Sequence, residues 1–422
     1  MKTTMKTTMK VTMTKQSTKS SQLNRTEATL LQHAGGNFRV GRGLVGALEQ
    51  SVTFETSHPT DFPVYARLGN TANHQELEAM LAALHALPNA SSNAAPAQQT
   101  DTDAIVFASG MAAANAAYFA LLQPGDHVLA QENCYGGIHG FFTAVLSRWG
   151  VEVEFAPVAS WPSRVRSSTR MAHFESITNP FCRPQDVARI CRELKTAWAA
   201  LPKKVGAESR PLLTLCDNTF SSPMLCKPLA LGADIVLESA TKYLNGHSDV
   251  ICGALIANLE IIEAVRNQAR LIGGFLNTAA CTMLLRGMRT LGIRMQAHSA
   301  AGLAFAAGMR ACNFVNRVHY GDADLAASFA NGFGGMVALE FDPRVDTIAM
   351  LEACEFIKNV PSLAGTETSA TLPWYSTNRM QPDDEKLRLG ITQQLVRFSI
   401  GLENVDDIIA DVRHAAAAAA SV

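Results

Sequence analysis

Hydrophobic and polar positions change their rhythm three times along this chain. From residue 25 to about 60 the apolar residues recur without a clear period, which predicts an extended arm. The stretch HQELEAMLAALHAL then carries apolar residues at helical spacing, and NASSNAAPAQQTDTD breaks it with a polar, low-complexity run that reads as a surface insertion. Strand-like and helix-like runs alternate next: AIVFAS, GMAAANAAYFALL, HVLA, GIHGFFTAVLSRWG, VEVEFAPV, MAHFESI, RPQDVARICRELKTAWAAL, LLTLCDN and DIVLES. Such alternation predicts an α/β domain with a largely parallel sheet and helices on both faces. After about residue 260 the rhythm changes to helices, LEIIEAVRNQARLI and TMLLRGMRTLGIRMQAHSAAGLAFAAGM, followed by the short strands MVALEF and VRFSI. That pattern predicts a second, smaller α+β domain. The resulting division is a tail over 1–24, an arm over 25–64, an α/β domain over 65–260 and an α+β domain over 261–422.

Composition narrows the class. With 422 residues, 47% hydrophobic and 17% charged, the chain can bury a large core. Its net charge of −1 leaves no electrostatic footprint for nucleic acid. No apolar run approaches the roughly 18 residues a membrane helix needs. The nine cysteines fall at irregular spacings with no CxxC pair, so neither a zinc site nor a disulfide framework is indicated, and a reducing cytoplasm fits best. The opening MKTTMKTTMKVTMTKQSTKSSQ lacks the apolar core of a secretory signal and the arginines of a transit peptide, and reads as a disordered tail.

Ligands of a parallel α/β sheet collect at the carboxyl ends of its strands, and four such ends carry chemistry. AIVFASGM ends in Ser109, Gly110 and Met111 where a helix begins, so backbone N–H groups there can take a phosphate, although taken alone these residues favour an ordinary helix cap. Tyr135 stands in the loop after HVLA, where its ring can lie on a flat ligand. Asp217 ends LLTLCD and can cap a helix or pair with a pyridinium nitrogen. DIVLES leads into SATKYLNGHSD, where Ser239 and Thr241 flank Lys242. Most lysines are solvated surface charges, but one held between packed strands is the side chain that captures carbonyls when its ammonium is desolvated. Together the four ends form the set that pyridoxal phosphate requires.

These residues, with VYARLGNTAN, FASGM, YGG, ITNP, CDNTFSSP, SATKYLNGHSD, LLRGMRTL, RMQAHS and VRFSIGLE, resemble the Cys/Met-metabolism pyridoxal-phosphate enzymes of transsulfuration from about Tyr65 to Val412. The resemblance implies the type I fold of pyridoxal-phosphate transferases and pyridoxal 5'-phosphate as cofactor. It implies that Lys242 bonds to the cofactor carbonyl, Asp217 holds the pyridine nitrogen, Tyr135 stacks on the ring and Asn179 lies near its 3-oxygen. Ser109, Gly110, Met111, Ser239 and Thr241 would hold the phosphate, with Tyr65 and Arg67 reaching in from a neighbouring subunit of a homodimer or tetramer. Arg397 would clamp the substrate carboxylate, with Ser362 beside it, and Tyr135 would assist proton transfer at the leaving sulfur.

The chain departs from the family pattern at three places. NTAAC stands where Ser-Pro-Phe-Asp is usual, Thr377-Asn378 where Thr-His precedes the last helix, and Ser362-Leu363-Ala364-Gly365 where SLGG is usual. Tyr135-Gly136-Gly137 is similar to the cystathionine γ-synthase and γ-lyase pattern, and Leu363 differs from the tryptophan of β-lyases. The expected reaction is therefore elimination or replacement at the γ-carbon of a sulfur-containing or O-activated homoserine-type amino acid. Cystathionine β-lyase or methionine γ-lyase activity is the alternative within the family. From other classes, a pyridoxal aminotransferase would share Lys242 and Asp217, and a silent binding protein would keep the fold alone. GRGLVG, from Gly41 to Gly46, matches a dinucleotide fingerprint but sits in the arm ahead of any strand.

Overall fold

The computed structural model describes residues 25–41, 43–86, 101–202, 210–325, 328–329 and 331–421; the N-terminal tail and most of the expected insertion lie outside the described residues. Seven strands form the larger sheet: β1 (Thr102–Phe107), β2 (His127–Gln131), β3 (Glu152–Ala156), β4 (Thr169–Glu175), β5 (Leu213–Asp217), β6 (Ile235–Glu238) and β7 (Gly253–Asn258). Their spatial order is β1-β7-β6-β5-β4-β2-β3. All run the same way except β7, which is antiparallel to both neighbours. The reason is the connection: helical segments cross over between β1 and β2, β2 and β3, and β4 and β5, whereas β6 returns through the SATKYLNGHSD loop without one.

Strands such as β2 are buried at every position, as expected where both sheet faces are covered. Leu129, Ala172, Phe174 and Val236 enter one apolar cluster, and Val128, Ala130, Met171, Leu215 and Leu237 enter another on the opposite face. Successive side chains of a strand alternate between faces, so an unbroken apolar run feeds both cores.

The smaller sheet contains β8 (Val315–His319), β9 (Met336–Phe341), β10 (Lys358–Asn359), β11 (Ser369–Thr371) and β12 (Leu395–Ser399) in the order β10-β11-β12-β9-β8. Only β10 and β11 are parallel. Val337, Leu339, Val396 and Phe398 pack against Phe305 of helix Leu291–Arg310 and Ile408 and Val412 of helix Val405–Ala418.

Three local expectations are corrected. The arm is not extended throughout: a helix spans Glu27–His33 and buries Leu31, but seven residues are too few to show a period. The run from Thr282 to Met309 is two helices, Thr278–Met288 and Leu291–Arg310. The buried Arg294 guanidinium reaches Gly287 O (2.8 Å), a carbonyl that a continuous helix would have used, and also Tyr243 O (2.9 Å) of the loop after β6. Thr377-Asn378 precedes the short helix Asp383–Arg388, and the last helix is Val405–Ala418. Among the described residues no helix is long and apolar enough to cross a membrane.

Candidate active site

A cavity of about 970 Å³ opens where the carboxyl ends of the parallel strands face the smaller sheet. Ser109, Gly110, Met111, Tyr135, Asn179, Asp217, Ser239, Thr241, Lys242, Ser362 and Arg397 all line it. Eleven positions scattered over nearly three hundred residues of sequence thus share one wall system. The volume is that of a small-molecule site.

The helix Gly110–Leu121 starts at the cavity. Ser109 is its N-cap, its hydroxyl accepting from Ala112 N at 3.0 Å, so the capping reading holds, and Ser109, Gly110 and Met111 line the cavity. A Cβ on Gly110 would lie 2.9 Å from the Ser239 Cβ, so glycine is what lets this turn approach the β6 loop. Ser239 N donates to Thr219 Oγ1 at 2.8 Å, and Thr241 Oγ1 bonds both the carbonyl and the N–H of Cys252, at 3.0 and 2.9 Å. These bonds stiffen the loop that carries Lys242.

Lys242 Nζ donates to Ser362 Oγ at 2.8 Å. Burial, then the Arg397 guanidinium, lowers its amine to about 8. A lysine so placed is partly neutral near physiological pH, which a nucleophile or base requires. Asp217 is the last residue of β5, and its Oδ1 accepts from Thr219 N at 3.0 Å. Burial raises its carboxyl, opposed by the Thr219 hydroxyl and N–H. A cationic ring nitrogen beside it would offset that burial cost.

Arg397 lies in the middle of β12 and is only 2% exposed. Its guanidinium donates to Asn179 Oδ1 at 2.8 Å and stands 5.6 Å from the centre of the Phe220 ring. A guanidinium held on one side by an amide keeps its remaining donors for a carboxylate.

Glu175, not singled out from the sequence, is the last residue of β4 and is 4% exposed. Its two carboxylate oxygens accept from Tyr135 N and Asn179 N, both at 2.7 Å. Burial, then Asp217, pushes this carboxyl up, while the Asn179 and Tyr135 N–H groups and Arg397 pull it down. The available signal was a lone carboxylate ending an apolar strand, the same signal that marked Asp217. Lys358, Pro361 and Glu367 also line the cavity.

Tyr65 and Arg67 do not line the cavity of their own chain. Arg67 stacks its guanidinium 5.5 Å from the Tyr65 ring centre and donates to Arg270 O at 2.9 Å.

The residues fit pyridoxal phosphate on their own chemistry. A helix N-terminus with a Gly110 turn that admits no side chain suits a phosphate, a buried carboxylate suits a ring nitrogen, and a desolvated lysine suits a carbonyl.

Comparisons with known proteins agree. The model of the Cys/Met metabolism PLP-dependent enzyme family matches residues 29–417. The cystathionine gamma-lyase of Bacillus subtilis is 34% identical over 319 residues, covering 73% of this chain and 80% of that protein. A cystathionine beta-lyase of Lactococcus lactis subsp. cremoris is 30% identical over 361 residues, covering 83% of this chain and 87% of that protein. Among solved structures, a cystathionine gamma synthase from Xanthomonas oryzae pv. oryzae superposes with a TM-score of 0.83 at 28% identity, over 94% of this chain and 99% of that one. Geometry and comparisons meet in one assignment: the chain belongs to the Cys/Met-metabolism family of PLP-dependent enzymes.

Proposed function

We propose that this enzyme eliminates or replaces the γ-substituent of a sulfur-containing or O-activated homoserine-type amino acid. The observation that carries the reading is the meeting of Lys242, Asp217 and Arg397 in one cavity with Tyr135 on its wall. Lys242, Asp217 and Tyr135, with Ser109, Gly110, Met111, Ser239 and Thr241, are proposed to hold the cofactor, and Asn179 to lie beside its ring. When bound, pyridoxal phosphate supplies a carbonyl for the substrate amine and a ring that withdraws electrons from the α-carbon.

The chain's own residues do the rest. Arg397, steadied by Asn179, orients the substrate carboxylate. Lys242 takes the α-proton on Nζ and moves protons at the β-carbon, with the Ser362 hydroxyl holding that amine in place. Tyr135 holds a proton near the departing group. Tyr65 and Arg67 are proposed to reach the phosphate of a neighbouring subunit in a homodimer or tetramer. A cytoplasmic setting completes the reading, supported by nine free cysteines, eight of them buried.

A second reading, β-elimination from the same thioether, is favoured by the beta-lyase similarity and differs in which carbon loses its substituent. Products separate the two. Incubation with cystathionine, methionine, cysteine and O-acylhomoserines should yield 2-oxobutanoate with cysteine from cystathionine; pyruvate with homocysteine would establish the second reading. The purified protein should be yellow, and Lys242→Ala should abolish borohydride-fixable cofactor. A Lys242→Ala protein that still fixes cofactor at another lysine would sink the assignment.

A further inference from the structure

We infer that Glu175 is a positioning residue that ties the Tyr135 loop and the Asn179 loop to one carboxylate, so that the ring-facing and substrate-clamping sides of the site move as a unit. The proposal deepens the functional reading above and rests on it. Tyr135 and Asn179 belong to separate loops, after β2 and after β4, and neither loop needs the other for its own backbone bonds. Glu175 supplies the link: one oxygen takes Tyr135 N and the other takes Asn179 N, each at 2.7 Å. Its own N–H donates to Gln131 Oε1 of β2 at 3.0 Å, which fixes the strand end from which the side chain departs. Asn179 in turn accepts from Arg397, so one buried carboxylate stands behind both Tyr135 and the guanidinium.

A carboxylate is suited to this because both its oxygens accept, whereas a glutamine presents one acceptor and one NH2. In Glu175→Gln the NH2 must face one of the two backbone N–H groups, donor against donor, and that loop is released. Displacement of a reacting group by about an ångström lowers rates by as much as about a hundredfold. Glu175 lines the cavity, but both its oxygens are taken by backbone N–H groups, so it acts through the residues it holds.

The test follows backbone hydrogen exchange in the loaded native enzyme, Glu175→Gln and Glu175→Ala, with visible circular dichroism of the bound cofactor and steady-state kinetics on cystathionine. Exchange about tenfold faster or more is expected at Tyr135 or Asn179 in the glutamine variant and at both in the alanine variant, with β2 and β5 unaltered. The cofactor's dichroism should change, and kcat/KM should fall about ten- to a hundredfold. Native exchange at both amides, or native dichroism with kcat/KM within about twofold, overturns the proposal. If alanine prevents folding, the glutamine variant decides; if both lose stability and exchange faster throughout, Glu175 serves folding alone and the proposal falls. A native enzyme inactive on every amino acid tried would overturn the functional reading, while exchange and dichroism still judge Glu175.

Discussion

At the scale of single residues, Lys242 is the most exposed to test, because its surroundings alone set its titration. Amines react when neutral, so acylation of Lys242 in cofactor-free protein should rise with a midpoint near pH 8, against about 10.4 for an ordinary lysine. Peptide mapping of the labelled lysine after brief exposure across pH measures it, and a midpoint above about 10 would contradict the desolvated placement. Arg397→Met should move that midpoint up by only part of the difference, since burial is the larger cause and the guanidinium the smaller. The sign carries to stability. Between about pH 8 and about 10.4 the unfolded chain binds the proton that folded Lys242 does not, so this residue's penalty fades as pH rises through that window. Arg397→Lys keeps the charge but loses the fork and its fixed bond to Asn179. Losing one charge-assisted pair costs about 1.5–3 kcal/mol, so kcat/KM should fall roughly ten- to a hundredfold while the cofactor absorbance stays. Native kcat/KM in the Arg397→Lys enzyme would remove Arg397 from the substrate clamp.

At the scale of elements, the site depends on loops meeting across the two sheets. A Cβ on Gly136 would collide with Thr377 O, and one on Gly140, on the same short helix Gly136–Phe141, would meet nothing within 4 Å. Gly136→Ala should therefore displace either the Tyr135 loop or the Thr377 loop and lower kcat/KM by about a hundredfold, with Gly140→Ala close to native as the matched control. Equal kinetics for the two variants would show that the contact does not govern Tyr135. This dependence also explains what could be read from the sequence. The strands before Ser109, Tyr135, Asp217 and Ser239 were legible because each is an apolar run ending in polar residues, and burial on both faces makes such runs continuous. The reversed direction of β7 was not legible, since an apolar run carries no sign of its direction. Nor were β10 and β11, two and three residues long, or the split at Arg289–Thr290, which depends on Arg294 crossing to another segment. Glu175 shows the same limit at the site: its type and position were visible, but its two partners come from loops forty-four residues apart.

At the scale of the whole molecule, one chain leaves two of the expected site residues away from its own cavity. Tyr65 and Arg67 pack together beside Arg270, whose neighbour Leu271 is 83% exposed, and Leu44 of the arm is 87% exposed. A second copy of the chain is the proposed cover for this apolar surface, with Tyr65 and Arg67 of each copy proposed to complete the other's phosphate site. In such a dimer a functional site needs Lys242 from one subunit and Arg67 from its partner. Arg67→Ala and Lys242→Ala proteins should each be weakly active or inactive alone. Mixed under conditions that exchange subunits, half of the dimers would be hybrids carrying one intact and one doubly damaged site, so activity should return to about a quarter of native. Assay after exchange, confirmed by differently tagged chains recovered together, measures it. If tagged hybrids form and no activity returns, Arg67 does not act across subunits, and its placement reflects packing against Tyr65 and Arg270.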